Sequence, residues 1–180
     1  WPHFRAWLAD QASGLPDPLD AWSRQVLEAV ALRCDARVVM PNDRPFQPFQ
    51  QWAKRAEGLN ASPLGILMHP QFGLWHAYRG ALLFDRPLAA EEGERSSKVP
   101  IHLCETCVGK PCLNACPVGA FGDGFDHRGC LSHIVSPGGA SCMDGGCLAR
   151  NACPHDSYRY GVEFQAFLMN AFRDALRQNG

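Results

Sequence analysis

Thiols dominate the chemistry available to this chain. Cys104, Cys107, Cys112 and Cys116 are spaced C-x2-C-x4-C-x3-C, and Pro117 follows the last of them. Soft iron in a compact inorganic core takes four thiolates held at fixed separations, and short spacers supply that arrangement. The usual bacterial run is C-x2-C-x2-C-x3-C-P, so the second spacer, Val108 to Pro111, is two residues too long. Further on, Cys130, Cys142, Cys147 and Cys153 are spaced C-x11-C-x4-C-x5-C, and Pro154 again follows the last. Loosened spacers and a shared Cys-Pro ending read as one pseudo-duplicated module, whose eight thiols suffice for two [4Fe-4S] clusters.

Structural zinc is the plainer alternative, because four cysteines also hold zinc. Zinc ribbons prefer paired C-x2-C knuckles, and only Cys104 with Cys107 forms one. The Cys-Pro endings and the helix-forming Leu113-Asn114-Ala115 between ligands favour iron. Glycines at 138, 139, 145 and 146 loosen the second quartet and can bring backbone N–H groups close to cluster sulfur. Among seven histidines, His102, His133 and His155 lie close to cysteines, where supporting roles are commoner than ligation. His69, Phe72, Trp75 and His76 surround a turn that reads either as a capped surface turn or as one wall of a cofactor or substrate pocket. The ninth thiol, Cys34, has no Cys or His partner nearby and reads as a small buried hydrophobe. No Gly-rich dinucleotide fingerprint, P-loop or G-x-S-x-G motif occurs.

The elements that must position these groups follow from periodicity. Trp1, Phe4, Trp7 and Leu8 share a helical face over residues 1–12, and a second helix runs from Asp17 or Pro18 to about Arg33 with Leu19, Trp22, Val26, Leu27 and Val30 inward. Short strands read at 35–40, 64–68 and 81–84, with a third helix over Phe46 to Glu57. Helices alternating with short apolar strands imply an α/β layer, and three strands make a sheet that looks incomplete, as if N-terminally truncated. Glu91, Glu92 and Glu94 with Pro87 and Gly93 mark a linker. A last helix over about 162–178 carries Phe164, Phe167, Leu168, Ala171, Phe172, Ala175 and Leu176 on one face. The expected fold class is α+β: an α/β domain over 1–90, a linker over 91–100, a ferredoxin-like dicluster module over 101–160 and a packing helix over 161–180.

Composition sets the outer bounds. The chain has 180 residues and 46% hydrophobic content, with no apolar run near the roughly 20 residues of a membrane span. The chain starts at Trp1 without a basic-then-apolar run, so a signal peptide reads as absent or as cut away along with other sequence, and clustered thiols in a chain with a respectable core point to a reducing cytoplasm. A formal charge of −1 without a basic stripe speaks against nucleic acid. Two clusters with their thiolates would add about −2 each, which suits a basic redox partner protein.

The stretch from Cys104 to Cys153 resembles the dicluster ferredoxin-like domain of the epoxyqueuosine reductase and reductive dehalogenase group of corrinoid-dependent reductases. The likeness includes Arg128-Gly129-Cys130-Leu131-Ser132 and, ahead of the cysteines, Gly73-Leu74-Trp75 and Gly80 to Leu88. Resemblance to dicluster ferredoxins implies crossed ligation, with Cys104, Cys107, Cys112 and Cys153 on one cluster and Cys116, Cys130, Cys142 and Cys147 on the other. The group's catalytic acid residues are not placed on this sequence, its substrate-specific C-terminal repeats are absent, and most of the region that would bind the corrinoid is too short. The resemblance therefore implies an electron carrier more than an enzyme. A corrinoid-dependent reductase holding its cofactor or substrate in the N-terminal domain is the alternative, and a zinc-stabilised structural or interaction module is a third.

Overall fold

A computed structural model describes residues 1–88 and 102–179; the expected linker, at 91–100, lies outside them. In chain order the elements are helices α1 (Pro2–Ala9) and α2 (Pro18–Cys34), strand β1 (Arg37–Val39), helix α3 (Phe49–Glu57) and strands β2 (Asn60–Ala61), β3 (Leu67–Met68) and β4 (Ala81–Leu83). Helices α4 (Pro111–Asn114), α5 (His127–Ile134), α6 (Ala140–Gly145), α7 (Leu148–Asn151) and α8 (Val162–Asn179) follow, with a 3-10 turn at Pro137–Gly139. The described chain forms two compact units, residues 1–57 with 77–88 and residues 58–76 with 102–179. The mixture of helices and small sheets is α+β.

Prolines start the first two helices. Pro2 and Pro18 stand in the first turn, where a missing N–H costs no hydrogen bond. Phe4 is buried and meets the rings of Trp1, Trp7 and Trp22 at centroid distances of 5.8, 6.1 and 5.6 Å. Asp35 ends α2 in the left-handed region at φ 53°, which turns the chain into β1. Strand β1 pairs antiparallel with β4, Arg37 opposite Leu83 and Val39 opposite Ala81. Arg79, just ahead of β4, pairs with Asp20 and donates to Ser23 Oγ at 3.2 Å, which ties the sheet to α2. Asp43 accepts the Met40 N–H at 2.9 Å and pairs with Arg24; the backbone donor first, then the guanidinium, holds its carboxyl below the ordinary range.

Four expectations are corrected here. The three predicted strands do not form one α/β layer: β3 pairs with β2, Asn60 opposite Met68, and the two sheets have two strands each. The cause is local, because the Ser62–Gly65 turn, closed by Gly65 N–H to Ser62 carbonyl at 2.9 Å, folds β3 back on the residues just before it. Helix α3 begins at Phe49 instead of Phe46, since Pro45 and Pro48 keep the intervening chain out of the helical region. Val26 and Val30 are exposed, and the buried face of α2 is carried by Ser23 and Ala31. Cys34 is exposed too, because it ends α2 on an outward-facing position.

The boundary also falls differently from the expected 1–90 domain. Residues 58–76 belong with the cysteine-rich half because Leu64, Met68 and Leu74 pack into one core with Cys112, Ala149 and Cys153. Helix α8 packs on α5 and α6, within that same unit. Gln165 of α8 is buried beside Gly146, whose φ of +89° and missing Cβ leave room for the amide, and it donates to the Tyr160 carbonyl at 2.8 Å. Among the described residues, no helix is long and apolar enough to cross a membrane.

Candidate metal centre

The long spacer of the first quartet is a curled loop. Gly109 at φ 75° and Lys110 at φ 42° take successive left-handed conformations, and Pro111 then opens α4. Val108 sits 94% exposed at the tip, so the two extra residues project outward without separating Cys107 from Cys112 across the core. Lys110 turns back and donates its ammonium to the Cys104 carbonyl. His102 pins the start of the loop: its Nδ1 accepts the Cys104 N–H at 3.3 Å while Nε2 lies 3.2 Å from the Asn60 carbonyl of β2. Both ring nitrogens are thereby engaged, and His102 acts as a brace.

The second quartet is presented by helices. Cys130 lies in α5, whose N-cap Asp126 accepts the Gly129 N–H at 2.9 Å. The eleven-residue spacer contains the rest of α5, the 3-10 turn and the start of α6, so Cys142 returns from the adjacent helix. Gly139 makes the return tight. A Cβ there would strike the His133 carbonyl and the Ile134 Cα of α5. Cys147 is the N-cap residue of α7. The four-residue helices α4 and α7 pack on each other, and each leads into a Cys-Pro pair. This repeats one small unit about the middle of the site.

Space sorts the eight thiols differently from sequence. Burial comes first in pushing up the Cys104 thiol, then Cys153; Cys112 and Cys107 add to this, and Lys110 opposes it. Cys153 is likewise pushed up by burial, with Cys112 and Cys107 among its neighbours and the His155 N–H acting in the opposite sense. Burial pushes Cys130 up to about 11, helped by Cys147, Cys116, Cys142 and Asp126. For Cys147 burial again leads, with Cys142 and Cys116 raising it and the amides of Arg150 and Ala149 favouring the thiolate. Cys104, Cys107, Cys112 and Cys153 thus form one neighbourhood, and Cys116, Cys130, Cys142 and Cys147 form another. The second set lines a cavity of about 580 Å³ together with Leu64, Ile134, Leu168 and Phe172. Ala120 donates its N–H to Cys116 Sγ at 3.3 Å. All nine cysteines are free thiols. Among the described residues, no three His, Cys, Asp or Glu side chains are gathered so as to hold a single metal ion.

No family model, curated protein or solved structure matches the chain.

The aromatic turn that reads as a pocket wall is filled by its own rings. Phe72 lies 4.5 Å from His69 and 4.8 Å from Tyr158, and His76 lies 5.4 Å from His69. His69 Nδ1 accepts the N–H groups of Gln71 and Phe72 at 3.0 and 3.1 Å. Trp75 is buried, with Tyr160 edge-on at 5.4 Å and the Arg150 guanidinium 4.4 Å from its ring centroid. Gly73, at φ 58°, exchanges backbone hydrogen bonds with His69, and any Cβ there would meet the His155 carbonyl, two residues past Cys153. The turn thus supports the Cys153 end of the site.

Arg150 is the residue of this site that sequence reasoning misses. It lines the cavity of the second thiol set, donates twice to the Leu74 carbonyl and stacks on Trp75 and Tyr160. Burial pulls its guanidinium below the ordinary range, while Tyr160 and Cys147 act to raise it. The signal available was a lone cation three residues after a cysteine in the otherwise uncharged stretch Leu148 to Cys153.

Proposed function

We propose that the second unit is a dicluster electron-transfer module. Cys104, Cys107, Cys112 and Cys153 hold one [4Fe-4S] cluster, and Cys116, Cys130, Cys142 and Cys147 hold the other. The observation that carries this reading is the crossing of the two sets: each Cys-Pro thiol, Cys116 and Cys153, neighbours thiols from the opposite quartet. The donor sets fit the group, since each offers four thiols, and the second surrounds a cavity instead of a filled core. Zinc fits less well. Tetrahedral zinc with Zn–S near 2.3 Å needs its four sulfurs about 3.8 Å from one another, whereas the second set borders a cavity of about 580 Å³, more room than one ion takes. A multi-iron core spreads its ligands more widely.

When bound, each cluster supplies one-electron chemistry. The chain's own residues fix, bury and tune. Leu64, Leu74 and Ala149 exclude water from the shared core. The Ala120 amide offsets charge on the Cys116 sulfur, and Lys110 and Arg150 place one cation beside each set. The packed aromatic turn favours a carrier over a corrinoid-dependent reductase, because His69, Phe72, Trp75 and His76 are occupied by one another and by Tyr158 and Tyr160. A reducing cytoplasm suits nine free thiols, and a partner protein with a basic face suits the anionic clusters.

Anaerobic reductive titration tests the function. The loaded protein takes up two electrons per chain, one for each cluster, with bleaching of the visible absorbance. Uptake of none would remove the electron-transfer reading.

A further inference from the structure

We propose that His133 donates a hydrogen bond from Nε2 to the cluster held by Cys116, Cys130, Cys142 and Cys147, raising that cluster's reduction potential above what the thiolates alone would set. The inference rests on the two-cluster reading. His133 stands three residues after Cys130 in α5, and positions i and i+3 share a helix face. It lines the same cavity as all four thiols.

Apart from the thiols, only His133 and Arg150 among the described residues bring a polar side chain to that lining. Arg150 is committed to the Leu74 carbonyl and to the rings of Trp75 and Tyr160. His133 Nε2 is buried, and among the described residues no group hydrogen-bonds it. Folded proteins pair nearly all of their buried polar atoms, so such a nitrogen beside four thiols calls for an acceptor. Cluster sulfur is an acceptor of the right charge. The four cysteines already account for four irons, so the imidazole is left with its N–H to give. The Gly138–Gly139 turn packs on His133, Gly138 against its ring and Gly139 against its backbone. A Cβ on Gly138 would come within 3.8 Å of His133 Cε1, and one on Gly139 would strike the His133 carbonyl. Reduction adds one electron to the cluster and makes its sulfur a better acceptor, so the bond favours the reduced state.

The test uses the full chain loaded anaerobically, comparing wild type with His133→Leu, His133→Asn and His133→Gln. Iron and sulfide are counted first, and the midpoint of each cluster is then followed by EPR-monitored potentiometric titration. Leucine removes the donor and keeps the bulk. It should leave about eight irons and lower one midpoint by about tenfold in the reduction equilibrium, about 59 mV for a one-electron couple. The other midpoint should not move. Glutamine reaches the position of Nε2 and should restore most of the loss, whereas the shorter asparagine should not. Asparagine, whose amide falls short of the Nε2 position, also serves as the comparison should leucine fail to load. An unchanged midpoint in both the leucine and the asparagine variant would overturn the proposal. Loss of about four irons from all three variants would also overturn it, in favour of an iron ligand. Wild type without clusters would instead remove the two-cluster reading itself.

Discussion

Alanine at Cys153 deletes a thiol that is close in sequence to Cys147 but has Cys107 and Cys112 as its electrostatic neighbours. The bare packing change is small. Cys153 is 5% exposed, and losing one buried sulfur from a core with Leu74 and Ala149 costs about 1 kcal/mol. The cluster change is all-or-none, because a four-thiolate site loses its group with one ligand. Cys153→Ala and Cys104→Ala should therefore each lower iron from about eight to about four per chain, and the double variant should stay near four. Cys116→Ala with Cys147→Ala should behave the same way for the other site. The discriminating variant is Cys147→Ala with Cys153→Ala, two neighbours in the second quartet, which should hold almost no iron. Colorimetric iron and sulfide with the EPR spectrum of the reduced protein provide the assay. If that double variant keeps about four irons while Cys116→Ala with Cys153→Ala keeps none, ligation follows sequence order and the crossed arrangement is wrong.

Other consequences follow from single side chains. Leu74 is 1% exposed, and Leu74→Ala should cost about 3–4 kcal/mol. Hydrogen exchange of peptides from residues 58–76 and 102–179 measures this, since a two-unit chain need not unfold in one step; unaltered protection there would contradict the packing. Arg150→Lys keeps the charge but loses the planar stack and the paired donation, and should lower the same protection by about 1–2 kcal/mol. Tyr78 is pushed up to about 12, by burial first and then by Glu57. Because the folded state prefers the neutral phenol, this contribution to stability is complete below the unfolded pKa of about 10 and is lost as pH rises through about 12. Tyrosinate absorbance should show a late-ionising phase that Tyr78→Phe removes.

The thiol positions stood plainly in the sequence because cysteine spacing and Cys-Pro endings are local features, while the chemistry they support is a proposal; α2 and α8 were legible because their periods are long. The sheet was not. Leu64 to Met68 reads as a core strand by its apolar run, but nothing in that run says that a turn at Ser62–Gly65 pairs it with Asn60 and Ala61. The same turn carries residues 58–76 into the cysteine-rich unit, where Leu74 lies among thiols distant in sequence. Val26 and Val30 fit an inward stripe, yet small Ser23 and Ala31 occupy the close contacts of α2. His69, Phe72, Trp75 and His76 look like pocket-forming residues on paper. Only the positions of Tyr158 and Tyr160, far along the chain, reveal that their faces are already taken.

Iron, acid-labile sulfide and zinc per chain, measured on anaerobically purified and reconstituted protein, test the central claim most directly. The account predicts about eight irons and eight sulfides with negligible zinc. Zinc bound at both sites without sulfide would contradict it.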